Sequence, residues 1–336
     1  MNIRRPQDEN GIVAMILRDI NNVLRETPNF DFSLAARTKT IKVIFTIAEQ
    51  LDIPITRSWY RHGGNVHSQI IKLNPMSREI RNLNGVTEAE IETAEQYMKP
   101  YESEYETLLH SIVPKYFFMS LPALLTLFYQ NAPEIYQPLY FSNLEMFKTF
   151  RKFVMPTRGS SGTAYQQVIS KFATQEGNLD FGYYKSFSNI LSRLSFEMSA
   201  LDNFSKMHPY LSQFTDIFED YLVKASYEGE LKPQVFSLFQ QTYEQAVWFP
   251  SSRIISLNTA KGTMDSEVKR WQIVRLTAEI PQITSDLQFL KQFIESSKMV
   301  LSLDERTRFF NTQYGNDTEV LGAIADAWRN YKEPVE

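Results

Sequence analysis

The chain has 336 residues, a formal net charge of −4, and an apolar content of 43%. It carries 24 Phe, 17 Tyr and 4 Trp, only 12 Gly, and no Cys. Disulfides, iron–sulfur clusters, a thiol nucleophile and cysteine-ligated zinc are therefore excluded, and a chain this apolar with so little net charge is expected to fold.

Residues 1–80 are the only positive third, with 11 Lys/Arg against 8 Asp/Glu. Ile12, Val13, Ile16, Leu17, Ile20, Val23 and Leu24 recur at helical spacing and predict an amphipathic helix over 11–26. Ser33 can cap a second helix over 34–51, with Ile41, Ile44, Phe45, Ala48 and Leu51 inward. The period then breaks. Residues 52–60 (DIPITRSWY) are β-branched and aromatic around Pro54 and read as an extended segment or short strand. Gly63-Gly64 reads as a turn.

Thr87 and Glu90 have the spacing of a capping box, opening a helix that Pro100 is expected to break. Seven glutamates between residues 88 and 106 face only Lys99, which predicts a solvated acidic face. The uncharged run 116–133 is too short and too interrupted to span a bilayer, so no membrane is expected. Further helices are predicted over 139–154, 183–205, 209–226, 233–248, 264–280, 282–300 and 317–331, and Ser251 to Asn258 as a short strand or an ordered connection. The fold class is mainly α, a multi-helix globular protein with a few short strands near 53–60 and 253–257. Residues 1–80 are expected to form an N-terminal recognition module and 81–336 a helical scaffold, with an internal boundary near 155–182.

The most specific text is residues 36–66. Thr38-Lys39 leads Lys42 and the apolar Val43-Ile44-Phe45 on one helix, and Trp59-Tyr60-Arg61-His62-Gly63-Gly64-Asn65-Val66 follows after a short connector. This resembles the SocA-like (Panacea) antitoxin domain, which has a Thr-Lys-x-x-Lys-apolar helix and then an aromatic segment ending in Tyr-Gly-Pro-Val. Here His62 stands for the tyrosine and Gly64 for the proline. The resemblance covers about thirty residues. It implies a regulatory, partner-binding protein that neutralises a toxin or serves in phage defence, and it implies no catalytic residues.

Arg57 with His62, and Arg61 with His67, also resemble the R-x4–6-H motif of all-helical HEPN-type ribonucleases. In that chemistry a histidine moves the proton and an arginine steadies phosphate charge. Basic and aromatic residues interleave across the same segment (Arg37, Lys39, Lys42, Arg57, Trp59, Tyr60, Arg61, His62, Lys72), a mixture that suits single-stranded nucleic acid. No carboxylate nearby completes a metal set with His62 and His67, and no phosphate-binding glycine motif occurs, so no metal and no cofactor is expected.

The expectation is a cytoplasmic, non-catalytic macromolecule-binding protein, antitoxin-like or an accessory subunit of a defence system. Its partner would be a protein, a toxin or a defence-complex subunit. Its partner-binding residues would be Trp59, Tyr60, Arg61, Arg57, His62, Lys39 and Lys42. Aromatic and arginine side chains are the usual anchors of interfaces. A nucleic-acid-binding or RNA-cleaving subunit using Arg57, Arg61, His62 and His67 is the alternative. Ile283, Leu287, Leu290 and Ile294 at 4-3-4 spacing would suit a core helical hairpin or an oligomer contact.

Overall fold

The computed structural model describes residues 9–28, 30, 37–68, 86–154, 182–228 and 232–314. Ser33, Lys72, residues 155–181 of the expected boundary, and the expected helix 317–331 lie outside the described residues.

The fold is mainly α. In chain order the helices are α1 Glu9–Glu26, α2 Arg37–Gln50, α3 Glu88–Met98, α4 Glu102–Phe118, α5 Leu121–Gln130, α6 Gln137–Val154, α7 Gly182–Ser199, α8 His208–Glu228, α9 Pro233–Tyr243, α10 Phe249–Thr259, α11 Asp265–Ser296 and α12 Leu303–Tyr314. Between α2 and α3 lie two strands, β1 Arg57–Tyr60 and β2 Gly63–Val66. They pair antiparallel, with Trp59 opposite Gly64 and Tyr60 opposite Gly63, leaving Arg61 and His62 as the turn.

The chain divides into two compact units. The first comprises Met1–Leu144, Glu197–Met207 and Val247–Gln282. Residues 9–28 and 37–68, from the expected N-terminal module, fall in this unit. The apolar stripe of α1 is fully buried here, with Ile12, Val13, Ile16 and Leu24 inaccessible to solvent. It packs against α3 and α4, while α2 packs against α4 and β2. The capping box at the start of α3 is formed as expected, because it needs only residues three apart: Glu90 takes the Thr87 N–H (2.6 Å), and Thr87 Oγ1 accepts from the Glu90 N–H (3.3 Å).

The second unit comprises Glu145–Phe196, His208–Ala246 and Ile283–Glu336. Its core is aromatic: Phe150, Phe187, Phe218 and Phe236 lie with ring centroids 5.0–5.6 Å apart in mutual contact, mostly tilted or edge-on, as ring quadrupoles prefer. Ile283, Leu287, Leu290 and Ile294 are buried along α11.

The strand expected near 53–60 forms at Arg57–Tyr60. The strand expected near 253–257 is not a strand, because those residues lie inside α10. Ile254 and Ile255 are buried there, and Ser251, Ser252 and Thr259 turn their hydroxyls back onto the carbonyls of Val247, Phe249 and Ile255. A helix buried over most of its length satisfies such hydroxyls internally, and burial overrides a weak β preference. The extended pairing comes just after it, as an antiparallel bridge between Arg57 and Lys261. The helices expected over 264–280 and 282–300 are likewise one helix, α11, which carries Pro281 in its interior.

Candidate functional site

The hairpin is built around its glycines. Gly63 has φ +82, a left-handed conformation that glycine adopts without strain. A Cβ on Gly64 would stand 2.4 Å from Phe45 Cδ1, so α2 can approach the strand only because no side chain is there.

Both lysines of the Thr-Lys-x-x-Lys helix turn inward. Lys42 is 2% exposed. Its ammonium nitrogen donates to the carbonyls of Gly64 (2.6 Å) and His62, and lies 4.6 Å from the centre of the Phe128 ring. Burial pushes its pKa down to about 7. Lys39 is also buried and donates to the Phe117 carbonyl (2.5 Å), one of the acceptors left open at the C-terminal end of α4. Burial lowers its pKa as well.

Arg57, 3% exposed, is spent on internal acceptors. Its Nε donates to Glu49 (2.6 Å) and its Nη1 to the carbonyls of Ile53 (2.9 Å) and Ile55 (3.2 Å). Lys261 reaches the other oxygen of Glu49 (3.1 Å). Burial alone would raise the Glu49 carboxyl, but Arg57 and Lys261 outweigh it and hold it below its ordinary value. Trp59 is 8% exposed and lies among Phe45, Phe128 and Tyr140, with centroids at 5.1–6.3 Å.

Four of the seven expected contact residues, Lys39, Lys42, Arg57 and Trp59, are therefore interior. They do not form a surface patch, because each finds its acceptors or apolar neighbours within the fold. The remaining three lie at the turn. Tyr60 is half-buried, and its carbonyl accepts from the Tyr140 hydroxyl (2.7 Å). Arg61 is half-buried and stacks on Phe249, its guanidinium carbon 3.4 Å from the ring centre and 5.2 Å from that of Tyr60. His62 is exposed.

His67 belongs to a different arrangement. Its Nε2 lies 2.6 Å from Ser58 Oγ, which is 2.7 Å from Ser256 Oγ. Gln272 donates to Ser256 (3.0 Å) and accepts from Arg253 (3.2 Å), and Arg253 grips Glu279 with two bonds of 2.7 and 2.6 Å. Burial pushes His67 down to about 4, which keeps the ring neutral at neutral pH. A hydroxyl beside a neutral imidazole is a start towards nucleophilic chemistry. Ser58 and Ser256 are buried, however, at 1% and 0% exposure, so the chain of bonds ties the hairpin to α10 and α11. The two R-x4–6-H pairs thus sit on a β-hairpin, with Arg57 and Arg61 held by different groups. Glu9 does similar work: its Oε2 accepts from the Thr56 N–H (2.6 Å), the Thr56 hydroxyl (2.8 Å) and the Thr263 hydroxyl (2.8 Å).

Sequence reasoning missed Glu9, Ser58, Phe249, Ser256 and Gln272. No local pattern marks them, since Ser58 and Ser256 are 198 positions apart. The acidic stretch lines a groove of about 550 Å³ between α1, α3 and α4. Inside it Arg18 pairs with Asp19 (3.0 Å) and Glu95 (2.7 Å), and Tyr105 donates to Asp19 (2.9 Å).

Among the described residues no helix is long and apolar enough to cross a membrane. No curated protein and no solved structure matches the chain. A family model described as domain of unknown function (DUF8098) matches residues 1–326, and the chain belongs to that family.

Proposed function

We propose that this protein is a non-catalytic, cytoplasmic macromolecule-binding subunit, antitoxin-like or accessory to a defence system, which recognises a protein partner through the turn Tyr60-Arg61-His62. The observation that supports this reading is the Lys42 clamp. A buried lysine is a costly way to fill a core, because desolvation disfavours its charge. Its return here is a hairpin turn whose backbone is held from beneath at two carbonyls. Lys39 fixes the neighbouring helix end in the same way. Lys39 and Lys42, which carry the helical half of the antitoxin resemblance, then act as scaffold, and Tyr60, Arg61 and His62 are the residues this scaffold presents to the partner. A preorganised turn loses little entropy on binding.

The test is purification of the full chain from its native host, followed by the same experiment on the double variant Arg61→Ala/His62→Ala. The expected result is a stoichiometric protein partner that the double variant loses while its thermal melt is unchanged. Recovery of RNA instead, released steeply by salt and dependent on Arg61, would transfer the reading to a nucleic-acid-binding subunit. A chain that emerges alone in both forms would remove the interaction reading.

A further inference from the structure

We infer that Arg61 is a receptor for a carboxylate, and that the partner segment seated at this turn is acidic. The inference rests on the protein-binding reading above and adds the chemistry of the partner.

Three facts carry it. First, Arg61 is positioned by stacking: one face of its guanidinium lies on Phe249, with Tyr60 further off. Stacking of this kind orients a planar cation without using up its N–H donors. Second, no hydrogen bond or ion pair of Arg61 is formed among the described residues, and its Nε is buried without an acceptor. Arg57 and Arg253, also in this unit, are each matched to a carboxylate, Glu49 and Glu279. A half-buried guanidinium with no acceptor among the described residues is an incomplete arrangement, since a buried donor left unpaired is destabilising. Third, the turn that bears Arg61 is held on its inner side by Lys42 at the carbonyls of His62 and Gly64. The fork therefore stands on a fixed support. The terminal nitrogens of such a fork match the two oxygens of a carboxylate.

Phosphate has the same charge, but a nucleic-acid strand is held by a run of cations along its backbone. Three cations of the same segment, Lys39, Lys42 and Arg57, are buried on internal acceptors and do not extend this site. A single prepared guanidinium fits a single side-chain carboxylate better than a phosphate chain.

The experiment is calorimetric titration of the full-length protein at low salt with N-acetyl-hexaglutamate, hexaglutamine and a ten-nucleotide oligothymidylate. Hexaglutamate is expected to bind and hexaglutamine not. Arg61→Gln should abolish binding, and Arg61→Lys should weaken it about tenfold, because an ammonium keeps the charge and loses the fork. Phe249→Leu should weaken it as well, by freeing the guanidinium. Circular dichroism melts of all variants separate these effects from unfolding. No hexaglutamate binding by the wild type, equal binding by Arg61→Gln, or tighter binding of the oligothymidylate would overturn the inference. A native protein partner that ignores Arg61→Lys removes the carboxylate and leaves the protein-binding reading. Hexaglutamate binding without any native partner does the reverse.

Discussion

Lys42 donates to the Gly64 carbonyl across 2.6 Å, joining a helix to the strand that follows the hairpin turn. Nothing else among the described residues is hydrogen-bonded to the carbonyls of both His62 and Gly64 from one atom. Replacing Lys42 by Met keeps the volume and orphans both acceptors. The expected loss is about 1–3 kcal/mol of stability in urea titration, and the turn should exchange its amide protons faster. A variant as stable as the wild type would show that the clamp is dispensable.

Lys42 also has a pH signature. Its folded pKa, about 7, lies below that of the unfolded chain, so between pH 7 and about 10.5 the unfolded state binds more protons. Its contribution to stability is fully present above the unfolded value and is lost as pH falls through 7. Unfolding free energy measured from pH 7 to 10 should therefore rise more in the wild type than in Lys42→Met. Parallel curves for the two proteins would contradict this.

His67 works in the acid range with the same sign. Burial keeps it neutral in the fold, with a pKa of about 4, while the unfolded side chain protonates near 6.5. Its contribution is intact above 6.5 and is lost as pH falls towards 4, by up to about 3 kcal/mol. His67→Gln keeps a polar partner for Ser58 and should flatten this limb of the stability curve.

Gly64 is a steric prediction. Gly64→Ala places a Cβ against Phe45, with an expected cost of about 1–3 kcal/mol from overpacking. Adding Phe45→Leu should recover part of that cost in thermal denaturation, because the contact lies with the ring.

The Arg253–Glu279 pair is mostly removed from solvent and doubly bonded. Glu279→Leu alone leaves Arg253 uncompensated and should cost about 3 kcal/mol. Arg253→Met together with Glu279→Leu should be less damaging than that single change. A double-mutant cycle in denaturant reads the difference.

The sequence made some elements plain and hid others for a physical reason. The stripe of α1 and the capping box of Thr87 and Glu90 depend on residues a few positions apart, so their pattern is visible in the text. Ser251 to Asn258 looked extended because isoleucine and serine disfavour helix slightly. The environment that reverses this preference, a buried position beside the hairpin, is built from residues 200 positions away, such as Trp59, whose N–H meets Thr259.

The same limit shaped the site. Residues 36–66 stand out in the text, but Lys39, Lys42 and Arg57 read there as surface cations because a sequence shows a side chain's charge and not its acceptor. The acceptor of Lys39 lies 78 positions on and that of Lys42 lies 22. By itself the sequence determined a cysteine-free, glycine-poor, aromatic-rich helical chain, since composition and short-range period suffice for that. Only the tertiary structure decided that Lys39, Lys42 and Arg57 are buried clamps and that Arg61 lies on the Phe249 ring with no acceptor among the described residues, because burial and hydrogen-bond pairing arise from contacts between distant segments.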